Sequence, residues 1–208
     1  MKLTKKKVFV TALALCLVAI ISVGTLAWFQ ATDEVTNFFQ VSTDGEQKPD
    51  FKLDLFEHEF NGEELTDNEV EENTYKHIAP GDVLPKDPTV RNAGQYDQWV
   101  RVKINLYDYK AWEAVLGDGV EFNKFFENFN TDWVVDQTTL GTDTLVFYYN
   151  AKLLPGEKTP IFEAFHIPEE FTVDNMPVKF KLNIVAEAIQ ADNTGDSAKA
   201  AFDAYWSN

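Results

Sequence analysis

The sequence predicts an all-β fold, a two-sheet antiparallel sandwich with short helical insertions at about 109–130 and 197–206. Three observations predict it. Residues 99–107 alternate, with Val100, Val102, Ile104 and Leu106 on one side and Arg101, Lys103 and Asn105 on the other, the pattern of a strand with one buried and one wet face. Turn residues punctuate the chain at Ala79-Pro80-Gly81-Asp82, Asn92-Ala93-Gly94 and Leu154-Pro155-Gly156-Glu157; there proline presets φ and glycine accepts a positive φ. No helices alternate with the strands at the length a parallel sheet would need.

Taken in order, residues 1–27 open with Lys5-Lys6-Lys7, continue as an apolar run over 8–23 broken only by Thr11 and Ser22, and end in Gly24, Thr25, Leu26 and Ala27. A cationic start, an apolar middle and a small-residue end read as a secretory signal peptide. A retained membrane anchor is the alternative, since the run nearly reaches the ~20 residues that span a bilayer. Asp33 and Glu34 follow rather than a cluster of Lys or Arg, which favours cleavage. Residues 28–48 form an N-terminal segment whose apolar cluster, Phe38 and Phe39 with Val41, is long enough for one short strand.

The sandwich domain is assigned to 49–191. Phe51, Leu53 and Leu55 alternate with Lys52 and Asp54 as in a half-buried strand. Between 54 and 72 stand nine acids and no Lys or Arg, which predicts a solvated loop. Pro85 and Pro88 keep the next stretch extended. Trp112, Val115 and Leu116, then Phe122, Phe125, Phe126 and Phe129, recur at three and four, and Gly117 and Gly119 divide them into two short helices. Strands are expected at 133–135 and 144–149, with 159–167 extended. Pro177 opens the longest strand, directing Val178, Phe180, Leu182, Ile184, Ala186 and Ala188 inward. Residues 192–208 form a polar loop and a short helix that Ser197 could cap, with Ala198, Ala201, Phe202 and Tyr205 on one side.

The formal net charge is -16, and beyond the leader 14 basic face 34 acidic side chains, a balance of -20. That opposes binding to nucleic acid, which needs a cationic footprint, and docking on anionic lipid. Cys16, the only cysteine, lies in the leader; the mature chain would lack disulfides, a thiolate nucleophile and cysteine-based metal sites.

Gly24-Thr25-Leu26-Ala27-Trp28-Phe29 followed by Asp33-Glu34-Val35-Thr36-Asn37 resembles the start of bacterial proteins exported with the alternate (SipW-type) signal peptide, a group that includes the TasA/camelysin family of biofilm-matrix and cell-surface proteins. Pro80-Gly81-Asp82, Lys86-Asp87, Val90, Asn92, Gly94 and Trp99-Val100-Arg101-Val102-Lys103 resemble a second block of that family. Pro155-Gly156-Glu157-Lys158-Thr159 and Ala186-Glu187-Ala188-Ile189-Gln190-Ala191 resemble its later strands. The resemblance implies a jelly-roll sandwich, cleavage between Ala27 and Trp28 by a signal peptidase, and export to the surface or matrix of a Gram-positive-type bacterium with no stable membrane association afterwards. It also implies assembly with copies of the same chain, or with related matrix proteins, by an N-terminal strand that completes the next subunit's sheet. Here that segment would lie between Trp28 and Thr43, with Phe38, Phe39 and Val41 as the buried side chains. Pairing in cis, or a tether, is the alternative for this segment.

Some camelysin-type members are described as metalloproteases. The zinc pattern needs two histidines at i and i+4 with a glutamate between. His58-Glu59 begins it, but position 62 is Gly, and His77 and His166 stand far off in sequence. Beyond the leader Ser42, Ser197 and Ser207 are the only serines, none in a nucleophile elbow. No enzyme activity and no cofactor are expected. Calcium is the metal best suited to the hard oxygens of Asp192, Asn193 and Asp196, but their spacing matches no EF-hand, and simple solvation is the favoured reading. Trp99, Tyr107, Tyr109, Trp112, Trp133, Tyr148 and Tyr149 could stack on sugars, though such residues more often build core and strand pairs. The expectation is a secreted structural protein that binds its own kind. A surface module for glycan or host protein is the alternative, and a protease stands behind both.

Overall fold

The computed structural model describes residues 51–206 apart from 173, 178 and 193. Ala27, Trp28, Phe38, Phe39, Val41 and Asn193 therefore lie outside the described residues. Eleven strands are described: β1 (Leu53–Phe60), β2 (Leu65–Val70), β3 (Val83–Pro85), β4 (Thr89–Asn92), β5 (Gln98–Leu106), β6 (Phe126–Glu127), β7 (Trp133–Val135), β8 (Thr144–Tyr149), β9 (Lys158–Pro160), β10 (Ala164–His166) and β11 (Leu182–Gln190). Two helices accompany them, α1 (Tyr109–Leu116) and α2 (Ala198–Trp206). The strands form three antiparallel sheets ordered β2-β1-β4-β9, β3-β10-β6 and β11-β5-β8-β7. The all-β sandwich expected from the alternation is thus present, with a small third sheet that no sequence period announced.

One core joins all three sheets. Leu53 and Val90 come from the first, Phe126 and Phe165 from the second, and Val102, Ile104 and Phe147 from the third. Helix α1 closes it with Trp112, which is fully buried. The indole meets Phe171 at 4.9 Å and Phe180 at 5.3 Å, both edge to face, the arrangement aromatic quadrupoles prefer. Gly117 ends α1 at φ 102, a conformation that costs a side-chain-bearing residue steric strain.

Four expectations need correction. First, the acidic stretch 54–72 is a β-hairpin rather than a loop. Its turn is Asn61-Gly62, where Asn61 Oδ1 accepts the N–H groups of Glu63 and Glu64 at 2.9 and 3.0 Å and Gly62 sits at φ 104. The charge is carried because the cations arrive from elsewhere in the chain. Asp54 meets Lys52 and Arg91, Glu69 meets Arg91, and Glu57 meets Lys86. Second, 109–130 holds one α-helix, then a 3-10 turn at Phe122–Phe125, then β6. Residue Phe126 pairs with Phe165 across the sheet, so a three-residue aromatic spacing served a tight turn and a strand in place of a second helix. Third, the last strand begins at Leu182 and not near Pro177; Phe180 still reaches the Trp112 cluster.

Fourth, the polar face of β5 is not wholly wet. Helix α2 lies across it, burying Ala198, Ala201 and Phe202 against Trp99, Tyr148 and Ile189 in a second, smaller cluster. Arg101, on that face, is only 8% exposed. Its guanidinium stands 4.3 Å over the Phe202 ring, a cation–π contact.

Candidate functional site: an open sheet edge and a buried charged cluster

β11 is the end strand of its sheet and pairs with β5 along all nine residues without a register break. The flanking bonds Tyr107 N–H to Lys181 O and Ala191 N–H to Asp97 O fix the phase of the ladder. In an antiparallel pair the inward-bonded residues alternate, so the odd-numbered residues of β11 bond β5. Leu182, Ile184, Ala186 and Ala188 turn their N–H and C=O groups to the other side. Among the described residues no strand is hydrogen-bonded there, although β1 of the first sheet lies close to β11. Such a row of free donors and acceptors is a template for another strand.

The two halves of β11 differ. Residues 186–189 are buried on both faces, by the core on one and α2 on the other. Leu182, Asn183, Ile184 and Val185 are only half-buried. Leu182 and Ile184 are partly buried and pack against the main core from β11. The edge thus offers both backbone groups and an incompletely covered apolar lip.

The second feature grows from the end of a ladder. β1 pairs with β4 from Leu53 opposite Asn92 to Phe56 opposite Thr89. The next residue on the β4 side is Pro88, which has no N–H to give. Asp87 takes over with its side chain: the His58 N–H donates to Oδ1 at 2.9 Å and His58 Nδ1 lies 2.5 Å from Oδ2. Beside it, Lys86 Nζ donates to both oxygens of Glu57, at 2.6 and 2.8 Å. Both side chains are nearly buried, with 11% and 6% exposure. Asn73 completes the group: its Nδ2 donates to Glu57 Oε2 at 3.1 Å and to the His58 carbonyl at 2.7 Å, and its Oδ1 accepts the Phe60 N–H at 2.7 Å. The Tyr75 hydroxyl bonds the Pro85 carbonyl, and its ring stacks on Phe60 at 5.2 Å. Burial first, then the charges of Glu57 and Asp87, hold the Tyr75 phenol above its ordinary value.

The later sequence blocks, 80–103, 155–159 and 186–191, lie among the described residues and meet in space. Arg101 and Lys103 both bond Glu187, at 2.5 and 2.9 Å. Asn92, fully buried, bonds the Tyr96 and Leu153 carbonyls through Nδ2 at 2.8 Å each. Its own carbonyl accepts Gly156 N–H, tying the Asn92-Ala93-Gly94 turn to the Pro155-Gly156-Glu157 turn.

Other sequence candidates are not brought together. His58 belongs to the cluster above, whereas His166 lies in β10, 3.9 Å from Glu127. Among the described residues no group of three or more His, Cys, Asp or Glu is arranged to hold a metal. Asp192 and Asp196 are exposed. Of the seven aromatics considered for sugar stacking, Trp99, Tyr109, Trp112, Trp133 and Tyr148 are buried, Tyr149 is half-buried, and Tyr107 alone is exposed. No helix among the described residues is long and apolar enough to cross a membrane. Glu57, Asn73 and Tyr75 escaped sequence reasoning: the first stood inside an acidic run, and the others in what read as its flank. The Lys86-Asp87 pair in the second resemblance block was the available clue. Compared with protein-family models, with curated proteins and with solved structures, the chain matches none.

Proposed function

We propose that this chain is an exported structural protein of the bacterial cell surface or biofilm matrix. In this reading it assembles with copies of itself by adding a strand from residues 28–43 to the β11 edge. The observation that carries it is that edge: nine residues long, unpaired on one side among the described residues, and apolar at its half-covered end. Strand addition gains main-chain hydrogen bonds for affinity and places alternate side chains for specificity. Phe38, Phe39 and Val41 supply such side chains, and a jelly-roll arrangement of the sheets belongs to the same reading. The high acidic charge keeps free subunits soluble.

The test uses the chain without residues 1–27, followed by size-exclusion chromatography and negative-stain microscopy. Fibres are expected from the parent. Phe38→Asp with Phe39→Asp should remain monomeric, because charges would enter the apolar lip. Ile184→Pro should also block assembly while leaving the β5 ladder intact, since residue 184 directs its N–H away from β5, lies in the half-covered part of the strand, and proline is tolerated on an edge. Fibres from the Ile184→Pro chain would exclude β11 as the acceptor, and a parent that stays monomeric would remove self-assembly itself.

A further inference from the structure

Lys86, Glu57 and Asn73 form an arrangement that ordinary ion pairing does not require. A primary amine and a carboxamide bond the same oxygen, Glu57 Oε2, at 2.8 and 3.1 Å. The amine and the amide are therefore neighbours across one carboxylate. The site is held from several sides. The Tyr75 hydroxyl grips the Pro85 carbonyl, which draws the segment carrying Asn73 against the residue before Lys86. The Lys86 N–H donates to the Glu163 carbonyl at 3.0 Å. The Asn73 amide is fixed by the His58 carbonyl and the Phe60 N–H.

We propose that the chain joins Lys86 to Asn73 by an intramolecular amide bond, with Glu57 as the general acid–base. Glu57 takes a proton from the Lys86 ammonium, and the freed Nζ lone pair attacks Asn73 Cγ. The charge that develops on Oδ1 meets the Phe60 N–H already pointing at it, the kind of preorganised donor that stabilises a tetrahedral intermediate. Glu57 then carries protons from the attacking nitrogen to Nδ2, and the Cγ–Nδ2 bond breaks. One C–N bond forms and one breaks, no electrons are gained or lost, and ammonia leaves as ammonium. Nothing beyond the three side chains is consumed. Low exposure of the lysine and the glutamate assists the proton transfer, because a water-poor site penalises the separated charges. Positioning supplies the rest: a held amine and amide react as one molecule rather than two. A second buried carboxylate that binds a lysine, Glu187, has Arg101 and Lys103 as partners and, among the described residues, no carboxamide bonded to it, so the same reaction is not open there.

The bond would staple the segment after β2 to the end of β3, closing the 73–86 loop covalently beneath the acidic hairpin. It depends on Glu57, Asn73 and Lys86 and not on strand addition at β11.

The decisive measurement is the denatured intact mass of the purified, folded chain against the mass that its own sequence requires. A deficit of about 17 Da, one ammonia, is expected. Digestion with trypsin should then show no cleavage after Lys86 and a branched peptide joining the residues around 73 and 86. Lys86→Arg, which keeps a cation on Glu57, should restore the full mass with an unchanged circular dichroism spectrum. Glu57→Gln should slow bond formation by about 100-fold or more, the usual contribution of general acid–base catalysis. A wild-type chain of full mass overturns the proposal. So does an ammonia deficit that maps to a succinimide at Asn61-Gly62 and is cleaved by hydroxylamine, and so does a deficit that persists in Lys86→Arg. The branched peptide from the wild type decides the question even where a variant fails to fold.

Discussion

Glu57 and Glu187 are both carboxylates buried to within a few per cent, and both hold a lysine. Their surroundings make them different. Glu187 lies opposite Arg101 in the β5–β11 ladder and binds two cations, with Phe202 of α2 stacked on the arginine. Its excess positive charge is relieved through Lys103, which is 34% exposed. Glu57 binds one nearly buried cation and one half-buried carboxamide. The first is an electrostatic tie between two strands, covered by a helix. The second brings a nucleophile, a proton carrier and an acylating group together. What a buried carboxylate does is decided by its third partner, more than by its depth or its ion pair.

The largest expected effect that separates the two clusters is removal of the carboxylate at the enclosed one. Glu57→Ala leaves Lys86 buried without its anion and should cost about 3–5 kcal/mol in denaturant unfolding, as broken buried pairs do. If the staple is already formed in the parent, the loss in this variant will include the covalent constraint, and comparison with Lys86→Arg separates the two. Next comes the helix cover. Phe202→Ala removes the ring beneath Arg101 and from the smaller cluster. A loss of about 3 kcal/mol is expected from large-to-small substitution, and it should be local. Amide exchange should rise in α2 and in the α2-covered half of β11, while the Trp112 cluster, which belongs to the other core, stays protected. Equal deprotection of both would mean that the two cores are one cooperative unit.

A smaller effect distinguishes the clusters by pH. Tyr75 has its folded phenol raised by burial and then by the Glu57 and Asp87 charges. A group raised on folding contributes stability that is complete below its unfolded value and is lost as pH climbs through the folded one. Stability should therefore decline above the ordinary phenol value of 10. The difference between the parent and Tyr75→Phe should be greatest below that pH and shrink above it, as followed by denaturant titration. A constant difference would show that the phenol does not titrate with unfolding. The smallest effect is at the open cluster. Lys103→Ala should cost about 1 kcal/mol or less, because its partly exposed ammonium is screened and Glu187 keeps Arg101.

Much of the fold was legible because its cause is local. The alternation of Val100, Val102, Ile104 and Leu106 forces one buried face whatever lies above it, and these residues do line the main core. Pro-Gly turns appear where written, since their φ preferences need no tertiary partner. The errors share a different cause. The acidic hairpin read as a loop because Lys86 and Arg91, which neutralise it, stand outside the window. Period three in the phenylalanines fitted a helix, a 3-10 turn and a strand alike until β10 arrived to pair with Phe126. Trp99, on the polar parity of β5, could be placed under a cover or in water, and α2 supplies the cover from a hundred residues further along.

The sequence by itself determined the class of fold, the principal strands and turns, and the acidic character with a single cysteine, Cys16. Those properties follow from side-chain period, backbone preference and net charge, which act within a few residues or over the whole chain. Tertiary structure alone decided which strand is left at an edge, which face of β5 is roofed, and that Glu57, Asn73 and Lys86 share one oxygen. Each of these is a meeting of residues well separated along the chain, set by register and by the end of a ladder at Pro88, and no local period encodes such a meeting.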